Sequence, residues 1–304
     1  MAVGGVLNKI MKRNIPTTEY DGFVYQEKGN RHNYFLDRVL MTGVTTILGV
    51  AGDTGGLQVW YGNLAAAKAF MTGTPTGFKE SYEGVVKKFG KLTSEAAREL
   101  DKLHPEFKEA RLAAMAVRDT AADTGKDAHL LCEEFERGND ISKFSKEVQE
   151  RAKPYLEWYK ENVNKTHFVE KPVFSRSLFV GGTPDGGFGL KDGKNFINDK
   201  KFKNSIYSPQ PHWQQAAYRM MIEEMSQDIT TPVRLELKDG TIESYKNPQE
   251  YLGSLGGIKW DGSVILLLDG INGVQPMFRY AYEEDKNSFL ASHTIYKAIN
   301  NFKK

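Results

Sequence analysis

The stretch Thr183–Lys201 reads TPDGGFGLKDGKNFINDKK, and the rest of the chain is organised around it. Pro184-Asp185 stands fourteen positions ahead of Asp199, with Lys191-Asp192-Gly193-Lys194 between them. Asp-Gly between apolar runs is a strong hairpin signal, so the two acids belong to neighbouring strands. Strand side chains alternate with period 2. Asn195, Ile197, Asp199 and Lys201 therefore share one face, and Phe196, Asn198, Lys200 and Phe202 share the other. The carboxylates of Asp185 and Asp199, with the main-chain carbonyl of Lys200, offer the hard oxygen ligands that Mg2+ or Mn2+ prefers. Lys201, on the face of Asp199, is placed to orient or deprotonate a water there. Each piece alone has a plainer reading. Pro-Asp-Gly-Gly makes an ordinary turn, and Asp199 with Lys201 makes a surface ion pair worth about 0–1 kcal/mol.

Outward from this stretch, the pattern predicts strands over 166–176, 178–188 and 194–203. A helix opened by Ser208-Pro209 follows, with Trp213, Ala217, Met220 and Met221 on one side. Gln214 and Tyr218 lie four apart on that helix, facing the acidic strand. The four glycines around Asp185 give a ligand close access to the backbone. Upstream, Gly125 precedes a helical run, KDAHLLCEEFERG, that ends at Gly138. His129 and Glu133 share a face of it, and a nitrogen ligand beside carboxylates favours Mn2+. Glu170, at the start of the first core strand, is a further carboxylate at the edge of the site. Lys191, Lys194, Lys200, Lys201 and Lys203 add local positive charge.

Toward the N-terminus, residues 1–15 read as a basic tail without the apolar block of a secretory signal. Residues 22–49 read as strands running into a short helix. Helices are expected over 57–71 and, with a break near 104–105, from Ser94 to Thr120. Downstream, PVRLELKDGTIESY is a second Asp-Gly hairpin, and residues 229–261 look like an added hairpin and loop. SVILLLD, MFRYAY and a helix over 286–302 close the chain. The class is α/β with a mixed sheet, its helices concentrated in the first half.

Composition narrows the function classes. The 304 residues are 40% hydrophobic and 12% aromatic, ample for a core. Lys and Arg number 41 against 39 Asp and Glu, so a nucleic-acid partner must rest on local clustering. The single cysteine, Cys132, excludes an internal disulfide framework and an iron–sulfur cluster and fits a reducing, cytoplasmic compartment. No run of about 18 apolar residues suggests a membrane span. GGTPDGGFG is not a phosphate loop, because Gly-Lys-Ser/Thr is absent and a strand follows.

In order, Gly125 to His129 with Glu133, Glu170, Gly182-Thr183-Pro184-Asp185, Asp199-x-Lys201 and Gln214-x-x-x-Tyr218 resemble the motifs of the RecB-like branch of the PD-(D/E)XK nuclease superfamily. VTTILG at 44–49, followed by QVWYGNLAAA, is similar to the opening of its phage and mitochondrial exonucleases. The resemblance spans roughly 40 to 300. It implies a restriction-endonuclease-like core over about 123–228 and 262–304 within a single domain, 16–304. A helical arch or wall over 57–122 would thread single-stranded DNA, with Trp60, Tyr61, Phe70 and Phe78 as candidates for base stacking. It further implies Asp185, Asp199 and His129 as metal ligands and Lys201 as the catalytic lysine. Gln214, Tyr218, Glu133 and Glu170 would be supporting groups. The implied activity is Mg2+- or Mn2+-dependent exonucleolytic hydrolysis of DNA, with recombination or replication proteins as partners. A structure-specific endonuclease on the same core and a non-catalytic DNA-binding module are the alternatives.

Overall fold

The computed structural model describes residues 18–29, 31–51, 73, 76–89, 94–202, 205–206, 208–269 and 273–302. The expected helix over 57–71, with Trp60, Tyr61 and Phe70, lies outside them, as does Lys203. The class is α/β, and the strands form several mixed sheets. Chain contacts separate two compact units, residues 53–130 and the remainder.

In the smaller unit, α2 (Phe78–Phe89) and α3 (Ser94–Leu103) precede α4 (Pro105–Glu136). The break at His104 falls where Pro105 predicts it, since proline suits the first turn of a helix and disrupts its interior. Val85 and Leu100 are buried with Phe78, Phe89 and Phe107 packed against them. Phe78 is thus part of an apolar cluster, the commoner role for an aromatic at helical spacing. α4 does not restart at Gly125 as expected but runs through it. One glycine costs a helix only about 1 kcal/mol, too little to break 32 residues. It ends as predicted at Gly138, which takes φ +79°.

The larger unit begins with β1 (Phe23–Lys28), β2 (Arg31–Leu36), β3 (Val39–Leu40), β4 (Thr42–Gly43) and α1 (Val44–Leu48). After α4 come α5 (Lys146–Asn162), β5 (Val163–Val169), β6 (Val173–Ser175), β7 (Val180–Gly182), β8 (Gly186–Leu190) and β9 (Asn195–Lys201). The remainder is α6 (Gln210–Met225), β10 (Val233–Glu236), β11 (Ile242–Tyr245), α7 (Pro248–Leu252), β12 (Gly262–Asp269), β13 (Gly273–Arg279) and α8 (Tyr282–Phe302). Among the described residues three sheets result, in the orders β13-β12-β9-β8-β5, β11-β10-β1-β2-β3 and β4-β7-β6.

Two strands expected to be continuous are each divided. The 166–176 run breaks at Glu170, whose φ is +48°, ahead of Pro172. The 178–188 run breaks at Thr183-Pro184-Asp185, because proline has no N–H to give to a ladder. Each break sends its two halves to different sheets. The 229–261 segment also pairs: β10 runs parallel to β1, Phe23 opposite Val233, and carries β11 outside it. It forms one side of a five-stranded sheet.

The sheet holding β9 is covered on both faces. α6 packs on β9 and β12, and α5 packs on β5, β12 and β13. Ile197 joins Ala217, Tyr218 and Met221 in the main core, so the Ile197, Asp199 and Lys201 face is the one toward α6. Phe188 meets Trp158 and Tyr159 of α5 from the other face. β12 supplies Val264–Leu268 to the interior, all buried. Among the described residues no helix is long and apolar enough to cross a membrane.

Candidate metal centre

The register of three strands builds the site. β5 pairs antiparallel with β8 up to Val169 opposite Gly186, and the amide of Glu170 then donates to the carbonyl of Asp185 at 3.1 Å. Glu170 and Asp185 are thereby fixed side by side at the ends of adjacent strands. A non-glycine residue at positive φ is uncommon, and such strain collects at functional sites. β8 and β9 form the predicted hairpin, Gly186 opposite Asn198, closed by Gly193 at φ +88°. This brings the amide of Lys200 within 2.9 Å of the Asp185 Oδ2 it donates to. Asp185 thus engages the amide of Lys200, which leaves the expectation for the carbonyl of that residue as a metal ligand untouched.

His129 lies on α4 just before the division between the two units, which falls inside this unbroken helix at Leu130 and Leu131. Nitrogen or oxygen ligand atoms of His129, Glu170 and Asp185 all lie within 4.8 Å of one another. Glu170, read from sequence as a residue at the edge, is therefore a member of the cluster. Glu133, one turn beyond His129, has a carboxylate oxygen 3.5 Å from Arg137.

Asp199 and Lys201 share a face as predicted. The Lys201 ammonium donates to Asp199 Oδ1 at 2.7 Å, with the Asp199 side chain 1% exposed and that of Lys201 31%. Burial opposes the lysine's charge, but the carboxylates of Asp199, Asp185 and Glu170 outweigh it and hold its pKa above the ordinary value. Lys201 is an ammonium at neutral pH, set among three acids.

Gln214 donates to the hydroxyl of Tyr218 at 2.8 Å. Tyr218 is buried, and burial pushes its pKa well up, with Asp185 and Asp199 adding to the effect. Tyr34 and Thr183 are hydrogen-bonded through their hydroxyls at 2.9 Å. A cavity of about 440 Å³ opens here, with Tyr34, Thr45, Thr46, Thr183, Gln214 and Tyr218 in its wall. Among the described residues its lining mixes polar groups, His32 included, with Leu40, Met41 and Val44 and holds no carboxylate, lysine or arginine.

The glycines serve a different end from the one expected. A Cβ on Gly187 would lie 2.4 Å from the Phe168 ring, and on Gly186 3.0 Å from the Asn198 amide. They make room for the protein's own side chains, not for a ligand. At Gly182 a Cβ would come within 2.5 Å of the Tyr218 ring. Gly182→Ala is therefore expected to displace that ring and lower stability by about 1–3 kcal/mol, read from urea denaturation.

The expected lysine cluster does not assemble. Lys191 and Lys194 lie at the hairpin turn, at the opposite end of β9 from Lys201, where Lys191 donates to the Lys160 carbonyl at 2.9 Å and Lys194 pairs with Asp192 at 3.1 Å. Lys200 is wholly buried, its ammonium 2.8 Å from Glu136. The Lys200, Glu136 and Tyr155 group was not singled out from sequence. Two signals bear on it: Lys200 falls on the Phe196 face of β9, and Glu136 follows His129 by seven residues, two helical turns. Set against known protein families and curated proteins, the chain matches no family model and no curated sequence.

Proposed function

We propose that this protein is a Mg2+- or Mn2+-dependent DNA exonuclease built on a restriction-endonuclease-like core of the PD-(D/E)XK type. One observation carries the reading: His129, Glu170 and Asp185 converge to within 4.8 Å, and Lys201 lies in the field of Asp185, Glu170 and Asp199. One nitrogen and two carboxylates are a donor set that fits Mn2+ and, through its oxygens, Mg2+. Such an ion, when bound, polarises a phosphoryl oxygen and acidifies a water.

The chain's own residues do the rest. Asp185, Glu170 and His129 would hold the ion, and Asp199, on the next strand and bonded to Lys201, would be a further carboxylate for it. Lys201 supplies positive charge beside the scissile phosphate and orients the attacking water. As an ammonium it cannot take that water's proton until its acidic neighbours are neutralised. Tyr218, fixed by Gln214, closes the site on the α6 side, and the cavity beside it, lined by hydroxyls, Asn33 and His32, receives the nucleotide flanking the cut.

Single-stranded linear DNA, labelled separately at each end, and a covalently closed single-stranded circle separate the modes of attack. Linear DNA is expected to be shortened from one end in Mg2+ or Mn2+, and the circle to persist. Cutting of the circle at the same rate would make the protein an endonuclease. Absence of cleavage in either metal would remove the nuclease reading.

A further inference from the structure

Lys200 stands between two catalytic neighbours yet points away from both. Its side chain lies on the far face of β9, 0% exposed, with its ammonium 2.8 Å from Oε1 of Glu136, itself 1% exposed. The Tyr155 hydroxyl donates to the same Oε1, and the Lys200 ammonium sits 5.8 Å from the centre of the Tyr155 ring. Burial works against the lysine's charge, but Glu136 and Asp185 hold it protonated. The backbone of the same residue donates its N–H to Asp185 Oδ2 at 2.9 Å. Lys200 therefore touches a ligand of the metal cluster through its main chain and the end of α4 through its side chain.

We propose that Lys200 is a positioning residue: with Glu136 and Tyr155 it locks the last turns of α4 to β9 and so sets the affinity of the metal centre. This rests on the metal-site reading above. A helix end held by apolar contacts alone can slide or rotate by fractions of an ångström. A buried ion pair fixed by a third hydrogen bond has one geometry, and buried polar groups can fix register at a cost in stability. β9 needs such a register, since Asp199 and Lys201 are set by the same strand. Groups that orient metal ligands without touching the ion are worth about 10- to 100-fold in affinity.

The test separates positioning from stability. Lys200→Met, Glu136→Leu and Tyr155→Phe together replace the network by apolar groups of similar size, a change that commonly leaves stability equal or higher. Mn2+ binding is measured by titration calorimetry without DNA, with thermal unfolding of the same samples. Expected are an unfolding temperature at or above that of the wild type and Mn2+ affinity about 10- to 100-fold weaker. A folded triple variant with wild-type affinity would overturn the proposal. If the triple variant does not fold, Glu136→Gln, assayed where it is folded, carries the same expectation for Mn2+ affinity, though with lower stability, and the same overturning result. A wild type that takes up no Mn2+ would instead overturn the metal-site reading, and this proposal with it.

Discussion

If the proposed function holds, Asp199→Ala is expected to lower metal-dependent DNA cleavage by about 10²- to 10⁴-fold, the range that single catalytic groups contribute. The substitution removes a carboxylate that is 1% exposed on the strand carrying Lys201. It also removes the partner that holds the Lys201 ammonium at 2.7 Å, so the charge proposed to meet the phosphate would lose its direction. Lys201→Ala acts on the same pair from the other side. Two groups working as one unit do not add, so the double variant falls little below either single one. Because neither residue lines the cavity beside Tyr218, the loss appears in kcat with KM for DNA changed severalfold at most. Single-turnover cleavage with saturating DNA checks this, and activity within tenfold of the wild type would remove Asp199 from the mechanism.

Lys200→Met alone is expected to destabilise the fold by about 3–5 kcal/mol, because it strands the Glu136 carboxylate in the interior. The pair is cut off from water, at 0% and 1% exposure, and the residue left behind keeps its desolvation cost. Glu136→Leu alone has a loss of the same order from the lysine side. Combining both with Tyr155→Phe restores stability, since no buried charge then remains. Lys194→Met is the contrast. Its partner Asp192 is half exposed, and the unfolding curve is expected to stay where it is. Urea denaturation of the four variants reads this directly, and additive losses in the triple variant would mean that Lys200, Glu136 and Tyr155 are not coupled as one network.

What could be read in advance was local. The Asp-Gly turn at 192–193 placed β8 beside β9, and period 2 placed Asp199 with Lys201, because both follow from neighbouring residues. The break at His104 and the stop at Gly138 were legible for the same reason. Glu170 was harder. Its place beside Asp185 depends on the β5 to β8 register and on a positive φ, neither of which its own sequence announces. The parallel pairing of β10 with β1, over some two hundred residues, is invisible to periodicity. Glycine meaning was inverted: Gly186 and Gly187 looked like access for a ligand, but the space they leave is filled by Asn198, Phe168 and Trp260. Lys200 misled in the opposite way, since a lysine among lysines suggested a phosphate-binding patch, and only the tertiary fold reveals Glu136 beneath it.

Everything proposed for the site depends on whether Glu170 and Asp185, with His129, bind a divalent metal. Anomalous diffraction from crystals soaked in Mn2+ tests it without any assumption about substrate. A manganese peak is expected between the Glu170 and Asp185 carboxylates and the His129 imidazole, and it is expected to be lost in Asp185→Asn. A peak elsewhere, or none, with Asp185 still bonded to the Lys200 amide and Asp199 to Lys201, would contradict it.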